Sequence, residues 1–238
     1  MNILYVVHDN GKGGAALSFL EMVSHIRNTH DVFVITPHKK GYIPEQLKKM
    51  KIEHINAHFF WWQIALPDQR YLKYIYKIIY YFLCFINYVE VYRIKQIIKD
   101  RKIDIIHSNS SVINFGALLS KVTGIPHVWH LREYGEEFGL ERVVPKRRYY
   151  KEMNKYVAYY IAVSQSIKDK FSKIVDGDKI VTIYNGVTNE FHYQKEFVHR
   201  GESRIKFLIA GNYCRAKGQM DAVRAVMLLR EQNVDDFI

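Results

Sequence analysis

Side chains that can transfer protons or bind anions follow two short apolar runs of the sequence. One run leads directly into His130, Arg132 and Glu133, and another is followed by Asn109. An imidazole or a carboxyl group can act as an acid or a base, and a guanidinium binds phosphate or carboxylate. If both runs are parallel strands, their carboxyl ends meet at the sheet edge where open α/β sheets bind ligands. We therefore predict a ligand-binding cleft that contains these four side chains, with His130 as the catalytic candidate.

A second histidine, His107, ends the other apolar run and has a plainer interpretation. A lone histidine at the end of a buried strand is more often a core residue with satisfied hydrogen bonds, and we interpret His107 in this way. His130 differs because Arg132 and Glu133 add polar groups beside it. We therefore assign a structural role to His107 and a functional one to His130.

The glycine-rich segment 11–14 is a candidate anion site, because it lies between a predicted strand and a predicted helix. Glycines let a backbone approach a ligand, and a helix N-terminus offers free N–H groups and a positive dipole. The spacing is neither G-x-G-x-x-G nor a Walker sequence, which argues against dinucleotide-dependent dehydrogenases and P-loop nucleotidases. Gly13 and Gly14 either approach phosphate or only form a tight turn that requires a positive φ.

Composition indicates a folded globular protein with an anionic partner. The 238 residues are 48% hydrophobic and 25% charged, and the formal net charge is +11. Such a charge favours nucleic acid, an acidic membrane or a phosphorylated ligand. Neither Cys84 nor Cys214 has a partner at metal-ligand spacing, so we expect free thiols in a reducing cytoplasm and no metal site.

Short apolar runs alternate with amphipathic segments along the chain, a pattern that predicts parallel strands covered by helices. The runs are rich in β-branched and aromatic residues, as strands buried on both faces should be. The predicted fold class is α/β, a Rossmann-like parallel sheet with helices on both faces. Strands are predicted at residues 3–7, 32–36, 103–107, 127–130, 160–163, 180–183 and 205–210. Helices are predicted at residues 15–27, 112–123, 165–173 and 217–231.

A polar, aperiodic segment at residues 188–203 interrupts this alternation before the apolar run 205–210. A break of this kind is typical of a domain boundary. We predict a first domain at residues 1–190, a linker at 191–203 and the first strand, loop and helix of a second Rossmann-like domain at 204–238. So short a segment cannot bury a doubly wound core, and we expect the second domain to be truncated in this sequence.

Residues 72–96 are predicted to form a long helix with two different faces. The apolar face is expected to pack on the sheet, and its members are Leu72, Ile75, Ile79, Phe82, Ile86 and Val89. The opposite face is aromatic and basic, as in helices that lie on anionic lipid. Its members include Lys73, Tyr76, Lys77, Tyr80 and Tyr81.

Two interpretations of this helix stay open. It either contacts a membrane surface peripherally, or its tyrosines only cover neighbouring segments. A transmembrane span is not predicted, because the uncharged stretch 78–89 is shorter than the roughly 18 residues that a span requires and contains Asn87. A basic cluster at residues 146–155 either extends the same surface or is a solvated face.

Six segments, taken in order along almost the whole chain, resemble glycosyltransferase family four. The segments are the glycine loop 11–14, IDIIHS at 103–108, GIPHVWH at 124–130, AVSQS at 162–166, IYNGV at 183–187 and the loop 211–218. The resemblance implies a GT-B fold, in which a front domain mainly holds the acceptor and a rear domain holds a nucleotide sugar. It also implies a retaining hexosyltransferase with front-face attack, which needs no protein nucleophile, no cofactor and no metal.

The resemblance implies roles for the residues that match the family's motifs. Gly13 and Gly14 correspond to the front-domain loop that approaches the donor phosphates or the acceptor. His130 corresponds to the histidine beside the donor sugar. Asn185 belongs to the loop that precedes the crossover between the domains, and Lys217 corresponds to the rear-domain lysine that neutralises the donor diphosphate.

Two departures from the family's pattern concern the donor site. The basic residue that usually follows the first glycine of the rear-domain loop is Asn212 here, and Arg215 in the same loop is the cation that takes its place. The family's paired-glutamate motif lies downstream of Ile238. We therefore expect these 238 residues to lack most of the donor site and to be inactive alone.

The sequence thus favours a glycosyltransferase that moves a sugar from a nucleotide sugar to a glycan or lipid-linked acceptor in cell-surface polysaccharide synthesis. We expect it in the cytoplasm, on the inner face of the membrane. The alternative is a non-catalytic module, left by truncation, that binds the acceptor or the membrane. Nucleic-acid binding is not expected, because the sequence has no zinc-finger, RRM-like or helix-turn-helix signature.

Overall fold

The structure is a computed structural model, and it describes residues 1–186, 206–211, Tyr213 and 217–234. The chain divides into two compact units, Met1–Gly186 and Val187–Ile238. The predicted linker at 191–203 lies outside the described residues, so the domain boundaries predicted from the sequence stay predictions.

The elements of the first unit alternate between strands and helices. The strands are β1 (Asn2–Val6), β2 (Asp31–Thr36), β3 (Glu53–Asn56), β4 (Gln63–Ala65), β5 (Ile105–Ser108), β6 (His127–Leu131), β7 (Leu140–Arg142), β8 (Tyr159–Ala162) and β9 (Ile180–Thr182). The helices are α1 (Gly14–Ile26), α2 (Tyr42–Lys49), α3 (Arg70–Ile98), α4 (Phe115–Thr123), α5 (Lys146–Lys155) and α6 (Gln165–Phe171). The second unit contains α7 (Gln219–Glu231).

Seven strands form one sheet in the order β3-β2-β1-β5-β6-β8-β9, and all neighbouring pairs are parallel. The order reverses beside β1, because β2 and β3 lie on one side of it and β5 lies on the other. Strands β4 and β7 form a separate antiparallel pair. The predicted α/β class, a Rossmann-like parallel sheet with helices, is confirmed.

Alternate side chains of the central strand β1 point into two different cores. Leu4 and Val6 belong to the cluster that includes residues of α3 and α4. Tyr5 and Val7 belong to the cluster formed with α1 and α2, which includes Phe19. A strand buried on both faces needs an unbroken apolar run, which explains why β1 was recognisable in the sequence.

Six predicted strands contribute to the sheet with ends shifted by one or two residues, whereas the prediction for residues 205–210 is wrong over its described part. Residues 206–210 have irregular backbone, and Leu208 is 91% exposed. Apolar, β-branched composition is a context-dependent guide to strand formation. The sequence patterns did not reveal α2, β3 and α5, which are short and mostly polar.

Helix α3 buries the side opposite to the one that the apolar spacing predicts. Most residues that were expected to pack on the sheet are exposed, namely Ile75, Ile79, Phe82, Ile86 and Val89. The buried positions of α3 are Cys84, Asn87, Glu90, Val91, Ile94 and Ile98. The predicted orientation of this helix is therefore wrong.

Two polar side chains explain why this side of α3 faces inward. Asn87 accepts from the backbone N–H of Phe60 at 2.8 Å and donates to the Phe60 carbonyl at 2.9 Å. Glu90 accepts from the backbone N–H of His58 at 2.8 Å and pairs with Arg93. Buried backbone groups outside regular structure need partners, and α3 supplies them.

The face of α3 that was predicted to be aromatic, basic and available to lipid is partly occupied by contacts within the fold. Lys73 and Lys77 form ion pairs with Glu141, and Tyr80 packs partly buried against the core. These three side chains are therefore occupied within the fold. Of the five side chains named for this face, Tyr76 and Tyr81 are exposed.

A transmembrane span was not predicted, and none of the helices in the described residues combines the length and apolarity that crossing a bilayer requires. Cys84 is a buried free thiol on α3, as predicted, and its Sγ donates to the Trp61 carbonyl at 3.4 Å. Cys214 lies outside the described residues.

Replacing Gly116 on α4 with alanine is expected to destabilise the first unit. A Cβ at this position would lie 2.1 Å from Ser108 Oγ and 2.9 Å from His127 Nε2, two atoms that are hydrogen-bonded to each other. Overpacking of this kind costs about 1–3 kcal/mol, so Gly116→Ala should lower the melting temperature in a thermal scan.

The matched control is Gly14→Ala on α1, because a Cβ there meets no atom within 4 Å. Alanine is the better helix former, so this variant should melt at or above the temperature of the parent chain. Equal melting temperatures for the parent chain and the Gly116→Ala variant would contradict the packing described for α4.

Candidate functional site

The candidate site lies where the carboxyl ends of β5, β6 and β9 meet helix α1. In an open parallel sheet, the point where strand order reverses leaves a crevice at the carboxyl ends of the strands. Here that point is between β1 and β5. The polar residues that follow these strands are therefore placed where a ligand can reach them.

Arg132 is the centre of the site. Its Nε donates to the carbonyl and side-chain oxygens of Asn109, at 3.1 and 3.2 Å. Its Nη1 donates to Ser18 Oγ and Asn185 Oδ1, both at 3.1 Å. Its Nη2 lies 3.3 Å from His130 Nδ1. One guanidinium thus joins α1 to the segments that follow β5, β6 and β9.

All these acceptors are neutral, and among the described residues Arg132 forms no ion pair with a carboxylate. Burial lowers the pKa of Arg132 to about 10, so the side chain is still protonated at neutral pH. The nearby carboxylate of Glu133 offsets part of the charge of this half-buried guanidinium, and the neutral acceptors leave the rest for an anion.

His130 is buried at the end of β6, and its Nε2 has no partner among the described residues. Burial, together with the charge of Arg132, lowers the pKa of His130 to about 2. The imidazole is therefore neutral at physiological pH. A neutral imidazole can donate through one nitrogen and accept through the other.

His107 does not fit the satisfied structural role that we assigned to it. It is buried beside His130, with 5.5 Å between the ring centres, and its Nε2 also lacks a partner among the described residues. Burial lowers the pKa of His107 to about 3. His8 follows β1 and is similar, because its buried Nδ1 is unpartnered and burial lowers its pKa to about 4.

Glu133 lies beside the Arg132 cluster and is held by the segment after β5. Ser110 Oγ donates to the carboxylate and lies 3.0 Å from either oxygen. The indole N–H of Trp129 donates to the Ser110 carbonyl at 2.8 Å and holds this segment in place. Burial raises the pKa of Glu133 to about 7. At neutral pH this group exists both as the acid and as the carboxylate, which suits proton exchange.

The glycine loop opens directly onto α1. Gly13 has a φ of −90°, and neither Gly13 nor Gly14 has the positive φ that a tight turn would require. A Cβ on either residue would meet no atom within 4 Å. The turn interpretation is therefore wrong, and the free space beside both glycines is compatible with a ligand that approaches this backbone.

Four of the predicted site residues belong to one hydrogen-bond network, and the others do not. His130, Arg132, Asn109 and Asn185 share the Arg132 network, which also includes Ser18. Serine is common on helix surfaces, so nothing in the sequence distinguished Ser18. The remaining predicted residues divide between the two units: Glu133, Gly13 and Gly14 belong to the first, and Lys217 is exposed in the second.

Arg215 and Asn212, which were predicted to belong to the donor site, lie outside the described residues. Over the part of the chain that the structure describes, no group of three or more histidine, cysteine, aspartate or glutamate side chains is arranged to hold a metal ion.

Comparison with protein families identifies the chain. The family model for Glycosyltransferase Family 4 matches residues 12–191, which is more than half of the sequence. The chain belongs to Glycosyltransferase Family 4. The match covers Gly13, Gly14 and the complete Arg132 network, so the site just described is part of the family 4 region.

Solved structures share the fold of this family 4 chain. Alr3699/HepE from Anabaena in complex with UDP is 19% identical, with a TM-score of 0.53 over 79% of this chain and 44% of that one. A Rickettsia africae glycosyltransferase is 16% identical, with a TM-score of 0.54 over 98% and 50%. Acinetobacter baumannii MurG is 12% identical, with a TM-score of 0.55 over 95% and 57%.

These identities show the GT-B type of fold alone, and the family 4 chain spans about half the length of the structures that it matches. No curated protein sequence matches it significantly.

Acid is expected to unfold the first unit cooperatively, because four histidines are buried in neutral form. Burial lowers the pKa values of His8, His107, His127 and His130 to between about 2 and about 4, from an ordinary 6.5. The unfolded chain thus binds more protons, so stability present above pH 6.5 is lost as the pH falls. Each histidine contributes up to about 1.4 kcal/mol per pH unit.

Urea unfolding followed by tryptophan fluorescence at pH 7, 6 and 5 measures how steeply the free energy of unfolding changes with pH. His107→Gln should reduce this pH dependence by the share of one histidine. The raised pKa of Glu133 acts in the opposite direction, since its stabilisation is lost as the pH rises from 4.5 towards 7. An unchanged slope in His107→Gln would contradict a neutral, buried His107.

Proposed function

We propose that the chain is the acceptor-side part of a retaining glycosyltransferase that moves a sugar from a nucleotide sugar to a glycan or lipid-linked acceptor. The observation that carries this proposal is the Arg132 network at the switch point of the sheet, inside the region matched by the family 4 model. The structure of Alr3699/HepE with UDP-glucose, a similar fold, supports a nucleotide sugar as the donor.

The charges of the site suit the departure of a nucleoside diphosphate. Transfer from a nucleotide sugar leaves negative charge on the diphosphate, and fixed positive groups stabilise it as it develops. Arg132 is such a group, and the open backbone at Gly13 and Gly14 gives phosphate oxygens access to the start of α1. Lys217 and Arg215 in the second unit are proposed to complete the phosphate contacts.

Retention is proposed to proceed by front-face attack, in which the acceptor hydroxyl enters on the side of the leaving group. Glu133 is the carboxyl group of the site, and its raised pKa leaves it only partly ionised near pH 7. A partly protonated carboxyl group bonded to Ser110 is a poor nucleophile but can exchange a proton. This arrangement supports a mechanism without a covalent sugar–enzyme intermediate. No metal and no cofactor are part of the proposal.

The 238 residues are proposed to be inactive alone. In the second unit, α7 has no buried residue, and its apolar side chains Val223, Met227 and Leu228 are more than half exposed. A helix without a core cannot hold Lys217 at a fixed distance from a donor. We therefore expect turnover only in a form of the protein in which further structure packs on the second unit.

A panel of nucleotide sugars, monitored by release of nucleoside diphosphate, tests this proposal. We expect release by a longer natural form of the chain and none by the 238 residues. In the active form, His130→Ala should lower kcat about 100-fold, as loss of one active-site donor does, whereas the exposed control His25→Ala should not. Release by the 238 residues would refute their inactivity, and no release by either form with any donor would refute the proposed activity.

A second candidate function, membrane binding without catalysis, is favoured by the exposed face of α3. This face, here called the α3 apolar face, is formed by large side chains that are at least 40% exposed: Tyr71, Tyr74, Ile75, Ile78, Ile79, Phe82, Phe85, Ile86, Val89 and Tyr92. Monomeric soluble proteins rarely leave so continuous an apolar surface uncovered. Its aromatic members suit the interface between lipid headgroups and acyl chains.

Positive charge next to the α3 apolar face favours anionic lipid. Arg148 of α5 donates to the hydroxyl of Tyr88 on α3 at 2.6 Å, which places the two helices side by side. The exposed cations of α5 are Lys146, Arg147, Lys151 and Lys155. Cations on a helix that packs beside α3 suit anionic lipid, which supports a lipid-linked acceptor and a position on the inner face of the membrane.

Co-sedimentation with liposomes containing phosphatidylglycerol tests the membrane proposal. The chain should pellet with these liposomes at low salt and less with neutral ones. Phe82→Glu combined with Phe85→Glu should abolish pelleting, because both side chains are exposed on the α3 apolar face. Val181→Glu, at an exposed apolar position of β9, is the matched control. Equal pelleting of the double variant and the parent chain would refute this surface.

A further inference from the structure

The contact between Arg132 and His130 specifies where the imidazole carries its proton. Arg132 Nη2 lies 3.3 Å from His130 Nδ1. A guanidinium is a donor at every nitrogen and cannot accept, so Nδ1 must be the accepting nitrogen of the ring. A neutral imidazole whose Nδ1 accepts carries its hydrogen on Nε2.

The other hydrogen bonds of the guanidinium group hold it in one orientation, so it stays in contact with His130 Nδ1. Its Nη1 is held between Ser18 Oγ and Asn185 Oδ1, and its Nε faces the carbonyl and the side-chain oxygen of Asn109. A planar fork that is anchored on its other nitrogens has one orientation, and this orientation directs Nη2 at His130. The tautomer is therefore set by groups on four separate segments of the chain.

The other ring nitrogen of His130, Nε2, makes no hydrogen bond within the described structure. His130 Nε2 is buried and has no hydrogen-bond partner among the described residues, although His130 itself is only 5% exposed. A buried N–H without an acceptor is costly, and such groups are retained where a ligand supplies the acceptor. The neighbouring ring of His107 leaves its own Nε2 equally unpartnered.

We propose that Arg132 is a positioning residue that holds His130 as the neutral Nε2–H tautomer, so that the ring presents one fixed donor to an oxygen atom of the bound substrate. His130 then acts as a hydrogen-bond donor and not as a general base, because its accepting nitrogen is occupied by Arg132. The identity of the ligand oxygen, a hydroxyl of the transferred sugar, rests on the proposed function; the tautomer does not.

Nuclear magnetic resonance of the 238-residue chain labelled with ¹⁵N-histidine tests the tautomer without substrate. Long-range ¹H–¹⁵N correlations distinguish a protonated Nε2 from a protonated Nδ1, and the signals of His130 are identified by their loss in His130→Gln. We expect a single Nε2–H form that does not titrate between pH 6 and 8. A protonated Nδ1, or averaged signals from both tautomers, in the parent chain would overturn the proposal.

The variant Arg132→Met removes the donors and should replace the single form by a mixture of tautomers. Ser18→Ala removes one anchor of the guanidinium and should have the same effect to a smaller extent. Arg93→Met, an arginine that pairs with Glu90 on α3, is the matched control and should leave the His130 signals unchanged. If Arg132→Met keeps a single Nε2–H form, Arg132 does not set the tautomer.

The signals of His127, which is hydrogen-bonded to Ser108 at 2.8 Å, report whether each variant is folded. If Arg132→Met is unfolded, the parent chain and Ser18→Ala still decide the proposal. The nucleotide-sugar panel on the longer form separates this inference from the proposed function. A single tautomer in the parent chain, together with no release of nucleoside diphosphate by the longer form, would count against the glycosyltransferase proposal and leave the role of Arg132 standing.

Discussion

The buried charge of Arg132 is the constraint on which the site depends. Taking a guanidinium out of water is unfavourable unless its N–H groups find acceptors, and the acceptors here belong to α1, to the end of β6 and to the segments after β5 and β9. These segments must therefore end at fixed positions relative to one another. Since all the acceptors are neutral, the hydrogen bonds that organise the fold at this edge leave the charge of Arg132 opposed by Glu133 and by no acceptor of its own network.

The location of the site was predictable from the sequence because it follows from the sheet. Apolar runs identified β1, β5, β6 and β8, and polar residues directly after such runs must lie at the carboxyl edge of a parallel sheet. These patterns selected His130, Arg132 and Asn109, which the structure brings together in the Arg132 network. They did not find Ser18, because a serine on an amphipathic helix has no distinguishing pattern. They also misjudged His107, since the presence of a partner for one ring nitrogen depends on atoms far away in sequence.

The orientation of α3 shows where hydropathy fails as a guide. Asn87 and Glu90 are buried because the irregular backbone around His58 and Phe60 needs hydrogen-bond partners, and this requirement outweighs the burial of apolar side chains such as Phe82. Periodicity ranks the faces of a helix by the side chains alone. It carries no information about unpaired backbone groups elsewhere in the chain, so it selected the wrong face.

The hydrogen bond between Ser18 and Asn185 joins positions that are 167 residues apart. Contacts of such long sequence separation form only after the intervening chain has been ordered, because closing the loop costs entropy before the contact is made. During synthesis, β1 and α1 can pair with their neighbours early, yet the Arg132 network has to wait until Asn185 has emerged. The Arg132 network is thus completed only when nearly all of the first unit has been synthesised, so a shorter nascent chain lacks it.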